Sequence, residues 1–346
     1  MTSATTKAHI PEAPFLAPPL TLRGVAFDPP LFCAPMAEIS HSPFRRLVAD
    51  FGGYGALFTE MLSAKMLLKE DMPRSPWTKR RAQEGRVIYQ LLVVDTEKLP
   101  EILDRLAVLA PDGLDLNSSC PAPTVRAMGG GADLFEDADR LREILRVLRK
   151  HFSGPLTVKI RLGRETEGWR ERLGERLRLL RDEGVDGLTL HPRFAGDKLK
   201  RAPRHELYAE LVTEARLPII ANGDILDPHY VRSRAADFAP AAGLMLGRIA
   251  AARPWVFAQW CNPELVMDHA AVWNRLCDYV EEDFAAERAL GRVKIFTAYF
   301  ARNFMFGHTL FAAVQSAPTI AAARERATRF FATAPKLTAH ISLGGI

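Results

Sequence analysis

Leu114-Asp115-Leu116-Asn117-Ser118-Ser119-Cys120-Pro121, followed by Gly129-Gly130-Gly131, is a short apolar run that ends in an amide, a lone thiol and a proline turn. An α/β enzyme presents a reactive side chain this way, at the carboxyl end of a buried strand. A lone cysteine is equally what a small buried hydrophobe looks like, so Cys120 by itself does not separate packing from catalysis. The rest of the chain bears on that choice.

Runs of the same kind stand on both sides of it. Leu31–Met36, Ala56–Thr59, Arg86–Leu92, Leu156–Arg161, Gly187–His191, Pro218–Asn222 and Gly243–Gly247 are apolar, too short for helices and bounded by turn residues. Between them lie helical spacings such as Leu99, Ile102, Leu103, Leu106 and Leu109, or Leu141, Ile144, Leu145 and Leu148. Eight strand–helix units fit one α/β (β/α)₈ TIM barrel, whose parallel strands are buried on both faces. A doubly wound open sheet is the rival. It fits less well, because no G-x-G-x-x-G follows the first strand and polar residues end nearly every strand instead of gathering at one switch point.

The flanks complete the organisation. Residues 1–20, with Pro11, Pro14, Pro18 and Pro19, read as a loose tail. Leu20–Leu22 and Val25–Phe27 form a small hairpin around Arg23-Gly24 at the start of a barrel spanning residues 21–262. Past residue 263 the strand signals stop. Trp273, Leu276, Cys277, Val280 and Phe284, then Phe296, Phe300 and Phe304, then a stretch from about Thr319 to Phe331 predict a small all-helical domain over residues 263–346.

Composition narrows the class. With 48% hydrophobic and 25% charged residues the chain is globular, not disordered. Its four cysteines show neither a C-x-x-C pair nor a ligand spacing, so no disulfide framework and no metal site is expected, which suits a reducing cytoplasm. No secretory h-region and no membrane-spanning run is visible, and no feature calls for an obligate protein partner. The net charge of +5 is uneven: from Arg288 onward eight Lys or Arg stand against one acid, Glu325, leaving −2 for everything before. A solvated helical face and a nucleic-acid grip both fit that excess.

In a barrel the strand ends converge on one pocket and read as a set. Here the set is Pro35 and Met36, Glu60, Gln90, Asn117 with Cys120, Lys159 and Arg161, His191 and Arg193, Asn222-Gly223-Asp224, and Gly247-Arg248. The last two groups follow strands seven and eight, the usual phosphate cradle of this fold, though turns that need glycine look the same. Lys159 stands inside an apolar strand, where an amine needs a counter-charge in the pocket. His191 is similar but matches a satisfied core histidine equally well. Gln90 offers a donor and an acceptor to a heteroaromatic ring edge, and Lys159 would stabilise an anionic ring.

Ala34-Pro35-Met36-Ala37, Thr59-Glu60-Met61, Gln90, Asp115-x-Asn117-x-x-Cys120-Pro121, Gly129-Gly130-Gly131-Ala132, Val158-Lys159-Ile160-Arg161, His191-x-Arg193, Asn222-Gly223-Asp224-Ile225 and Gly247-Arg248 with Pro254-Trp255-Val256-Phe257 resemble, in this order, the bacterial tRNA-dihydrouridine synthase family. The similarity spans the barrel and, more loosely, the helical end, where Arg292-x-Lys294 resembles a basic pair in the family's RNA-binding domain. The resemblance implies an FMN enzyme, recharged by NADPH, that reduces the C5–C6 bond of a uridine in tRNA. Pro35, Met36 and Ala37 would lie against the isoalloxazine, Gln90 and Lys159 on its polar edge and His191 nearby, with Asn222, Gly223, Asp224, Gly247 and Arg248 on the phosphate. Asn117, Arg161, Arg193, Arg292 and Lys294 would meet the RNA, and Asn117 would orient the flavin or the uracil. Cys120 would be the general acid. Hydride delivery to C6 leaves an enolate-like charge, and a thiol, ordinarily of pKa about 8.5, is largely protonated at neutral pH and suited to protonate C5.

Three positions depart from the family's pattern: Ser119 where glycine is usual, Pro123 where a lysine is usual, and Pro192 within His191-Pro192-Arg193. The basic stretch Phe194–Arg201, with Lys198, Lys200 and Arg201, is a candidate compensation. An FMN barrel acting on ribosomal RNA or on a small molecule of the dihydroorotate or enoate type, and an RNA-binding barrel without catalysis, are the other readings.

Overall fold

The computed structural model describes residues 18–197 and 201–344. Most of the expected tail, and Lys198, Leu199 and Lys200 of the basic stretch, lie outside the described residues. A hairpin of β1 (Leu20–Leu22) and β2 (Val25–Phe27) opens the chain. The barrel strands follow as β3 (Leu31–Cys33), β4 (Ala56–Phe58), β6 (Val87–Leu92), β7 (Gly113–Ser118), β8 (Leu156–Ile160), β9 (Gly187–Leu190), β10 (Ile219–Asn222) and β11 (Gly243–Leu246), with the two-residue β5 (Leu62–Ser63) after β4. All eight barrel strands pair in parallel, β4 with β6 and β11 back to β3, so the sheet is closed. This is the expected TIM barrel. Only β5, which pairs with β6 at Leu62 opposite Leu91, was not legible beforehand, being too short to carry a period.

Strand alternation sorts the interior into levels. On the inward face Phe32, Phe58, Ile88, Ile220 and Met245 pack with Leu20, Leu22 and Phe27 of the hairpin, which plugs the amino-terminal end of the barrel. One pleat further along, the inward positions turn polar at Glu60, Gln90, Asn117, Lys159, His191 and Asn222, and stay small at Ala34 and Gly247. Outward residues such as Leu114, Leu116, Leu156 and Val158 pack against the helices. The helix Ala138–His151 illustrates why these form: Leu141, Ile144, Leu145 and Leu148 make one buried stripe, and the Asp137 carboxylate accepts from Arg140 N at 3.1 Å.

Helices His269–Asp283, Ala286–Phe300, Gly307–Gln315 and Ile320–Ala332 make up the helical end. Asp268 and Thr319 cap the first and last of these, and Trp273 Nε1 donates to Thr297 Oγ1 at 2.9 Å across the first pair. The group is seated on the barrel. Asp283, its side chain 1% exposed, pairs with Lys79 and Arg81, and Asn303 bridges to Ala252 O and Arg253.

The basic excess is partly balanced within the helical end. Residues 263–287 hold seven acids and one arginine, so residues 263–346 carry a net charge of only +1. Arg324 is taken up by Asp278 and Glu281, and Arg329 by Glu325.

Candidate active site

The polar level of the barrel interior is a connected network, because buried donors and acceptors must find partners. Gln90 Nε2 donates to Asp115 Oδ2 (2.7 Å), Asn117 Nδ2 donates to Gln90 Oε1 (2.8 Å), and Thr157 Oγ1 donates to the other Asp115 oxygen (2.6 Å). Burial pushes the Asp115 carboxyl up to about 6, against the pull of Thr157, Gln90 and Lys159. Lys159 Nζ donates to Asn222 Oδ1 at 2.9 Å, and burial, helped by Arg161, brings its amine down to about 8.

Asn117 builds the turn that displays the thiol. Its Oδ1 accepts from the backbone N–H of Ser119 (3.2 Å) and Cys120 (3.0 Å), an amide serving as a turn cap. The glycine run locks the other side: Ala132 N donates to Cys120 O at 3.0 Å, and a Cβ on Gly131, at φ +57°, would stand 2.6 Å from that same oxygen. Cys120 is partly exposed, and it lies near enough to Lys159 and Arg161 to act on both electrostatically.

Beside the network, on the β10–β11 side, is a cavity of about 230 Å³. Pro35, Met36, Lys159, Arg161, His191, Asn222, Gly223, Asp224, Gly247 and Arg248 all line it. Arg193 Nη1 lies 2.9 Å from His191 Nε2; since a guanidinium only donates, Nε2 accepts and the ring proton sits on Nδ1. Burial and the surrounding Lys159, Arg161, Arg193 and Arg248 hold His191 well below the ordinary histidine range, so the ring is neutral. Burial opposes charge on Asp224, but Arg193 and Arg248 outweigh it and keep the carboxyl below its usual range.

The two glycines differ. A Cβ on Gly223, at φ +117°, would meet His191 Cδ2 at 2.7 Å, so this glycine is required by packing. A Cβ on Gly247 would meet Ala34 Cβ and Met36 Sδ only at 3.5 and 3.6 Å, ordinary contacts. Its missing side chain leaves room in the cavity, and with Arg248 alongside and Lys159 at the far wall the lining fits a phosphorylated, electron-rich ring compound such as FMN.

Several expected site residues sit differently from the set as read in one dimension. Ala37 is exposed and, like Gln90, does not line the cavity; both ends of the Gln90 amide are engaged within the protein. The Arg193 donors are held by His191, Asp224 and Arg201 O. Arg292 and Lys294 lie on the helix Ala286–Phe300, and Arg292 lines a different cavity with Glu60. Pro123 starts the short helix Pro123–Ala127, and Ser119 is 6% exposed.

Sequence reading missed Tyr208, fully buried, whose hydroxyl accepts from Asn222 N (3.0 Å) and lies 3.1 Å from Leu190 O, bracing β9 and β10 where the site begins. An isolated tyrosine on an apolar helix face was the available signal. It also missed Leu343, whose carbonyl accepts from Arg248 Nη1 at 2.6 Å at the cavity's edge and which nothing in the sequence ties to β11.

The family description "Dihydrouridine synthase (Dus)" matches residues 32–313, covering both barrel and most of the helical end. The chain belongs to the dihydrouridine synthase family. It is 32% identical over 233 residues to the tRNA-dihydrouridine synthase B of Pectobacterium carotovorum, covering 66% of this chain and 70% of that one. It is 31% identical over 244 residues to a probable tRNA-dihydrouridine synthase of Rhodobacter capsulatus, covering 69% and 73%. Among solved structures, the old yellow enzyme of Trypanosoma cruzi superposes with a TM-score of 0.54 at 9% identity, over 78% of this chain and 98% of that one. The old yellow enzyme homologue of Zymomonas mobilis gives 0.51 at 12%, over 73% and 94%. At these identities the likeness is one of fold. No helix among the described residues is long and apolar enough to cross a membrane.

Proposed function

We propose that this chain reduces a uridine of tRNA to 5,6-dihydrouridine in the cytoplasm, using FMN recharged by NADPH, with Cys120 as the general acid. The observation that carries the reading is the Cys120 turn: Asn117 and Gly131 fix it beside Lys159 and Arg161, next to a cavity whose lining suits a flavin phosphate and ring. Family membership and the names of the relatives support the same reaction.

The flavin, when bound, supplies the hydride that goes to C6 of the uracil. Pro35 and Met36 would bear on its ring, Lys159 on its electron-rich edge, and Asn222, Gly223, Gly247 and Arg248 on its phosphate, with Asp224 positioning Arg248. Asn117, Gln90 and Asp115 hold one another and so fix the thiol's position. Cys120 Sγ–H gives its proton to C5 as the enolate-like charge collapses, and Arg161 stands near to steady that charge and the thiolate left behind. Arg292 and Lys294 would contact the RNA from the helical end, and the target base must leave its stack to reach the thiol.

Mass spectrometry for dihydrouridine after incubating flavin-loaded protein with NADPH and unmodified tRNA tests the reading. Product that depends on Cys120 is expected. A flavin that NADPH bleaches while tRNA stays unmodified would overturn the tRNA assignment and move the substrate to ribosomal RNA or a small molecule.

A further inference from the structure

Glu60 lies two residues beyond strand β4, belongs to the polar strand-end set, and has no part in the chemistry above. It lines a second cavity, of about 310 Å³, where the loops after β3 and β4 meet the helix Ala286–Phe300. One oxygen, Oε2, accepts from Glu38 N at 2.8 Å; the other, Oε1, is covered from solvent and has no hydrogen-bond partner among the described residues. Arg292, from the helical side, is in a matching condition. Its guanidinium lies 5.2 Å from the Trp77 ring centroid, Nη2 stands 3.9 Å from Glu38 Oε1, and Nε and Nη1 are covered and without a hydrogen-bond partner among the described residues. Unpaired buried donors and acceptors are costly, and a cavity that gathers both kinds beside an aromatic ring has the makings of a binding site.

The wall chemistry narrows the ligand. Two carboxylates, Glu38 and Glu70, and the partly ionised Glu60 face one lining cation, Arg292, which disfavours a phosphate. A neutral planar ring bearing an N–H and a carbonyl or ring nitrogen on one edge satisfies Glu60 Oε1 and Arg292 together, with Trp77 and the exposed Met66 supplying apolar wall. Burial brings the Glu60 carboxyl up to about 7 against the pull of the Glu38 N–H and Arg292, which suits a group that trades hydrogen bonds with a neutral ligand. The cavity opens on the barrel face that holds the Cys120 turn, but on the β3–β4 side, across the mouth from β7 and β8.

Resting on the RNA reading above, we propose that this cavity receives an unpaired nucleobase adjoining the target uridine, read by Glu60 and Arg292. It thereby holds the RNA in the register that delivers the neighbouring uridine to Cys120. Glu60→Gln is the discriminating variant. An amide there can keep the Glu38 N–H bond through its oxygen only by turning its NH₂ into the cavity, setting donor against donor.

The experiment is a cycle on the flavin-loaded protein. The modified uridine is mapped by mass spectrometry, each flanking nucleotide of a synthetic RNA is made abasic in turn, and Kd is measured for wild type and Glu60→Gln. At one flanking position removal of the base should weaken wild-type binding about tenfold, and the same removal should weaken Glu60→Gln less than about twofold. Flavin absorbance in the variant reports intact folding. Equal losses in both proteins at every position, with dihydrouridine still formed, overturn this proposal and leave the synthase reading standing. Failure to bind or modify any RNA overturns both. Additive losses accompanied by slower flavin reduction by NADPH in Glu60→Gln overturn it in favour of a reductant site.

Discussion

Among the described residues no ionisable side chain is in hydrogen-bonding contact with Cys120; what defines it is a backbone turn held by Asn117 and a glycine. Replacing it with alanine should therefore leave NADPH-driven bleaching of the flavin intact while dihydrouridine formation falls about 10²–10⁴-fold, the usual worth of a positioned general acid, as single-turnover mass spectrometry would measure. Lys159 gives a pH signature. With its amine near 8, below the ordinary lysine value, an electron-rich ligand must draw a proton onto it once the pH exceeds that value. FMN affinity should be flat below about pH 8 and fall by up to about tenfold per unit above it, and Lys159→Met should flatten the profile in a fluorescence titration. The same depression has a stability consequence of defined sign. Between about pH 8 and 10.5 the unfolded chain binds more protons at this position than the folded one, so this group's contribution to stability rises with pH across that window.

At the scale of elements, the strand ends were legible because parallel strands buried on both faces are apolar along most of their length, so His191 and Asn222 stood out at the ends and Lys159 as an amine inside an apolar run. What remained illegible was direction and partnership. Gln90 and Asn117 read as ligand contacts, yet they are first of all each other's hydrogen-bond partners, a fact set by the β6–β7 register. The glycine run read as an unexplained motif until its approach to the Cys120 carbonyl was visible. Gly131→Ala, which must both adopt a positive φ and displace that carbonyl, should lower stability by about 1–3 kcal/mol in urea unfolding and reduce product formation while FMN loading persists. The seam between barrel and helical end is a buried charge cluster. Asp283→Ala strands the Lys79 amine, while Arg81 keeps Glu282, and should destabilise by about 1–3 kcal/mol, seen as a lower urea midpoint.

Across the whole molecule, part of the positive charge visible in the sequence is met by acids of the neighbouring helix and of the same helix, a pairing that only the packing reveals. Lys294 and Arg302 have no ion pair among the described residues, whereas Arg324 is held by Asp278 and Glu281. Neutralising Lys294 and Arg302 together should flatten the dependence of log K on log salt for tRNA binding by about 1.5–2, while Arg324→Ala should lower thermal stability and leave the salt slope unchanged.

The hairpin that stoppers the amino-terminal end of the barrel has a kinetic corollary. With that end filled by Leu20, Leu22 and Phe27, traffic to the interior has a single doorway, the rim crowded by the helical end. On the proposed function, a nicotinamide dinucleotide and a folded RNA would share that doorway and call in turn. Steady-state rates at several fixed RNA concentrations should then give parallel double-reciprocal lines, the mark of a ping-pong cycle in which one visitor leaves before the next arrives.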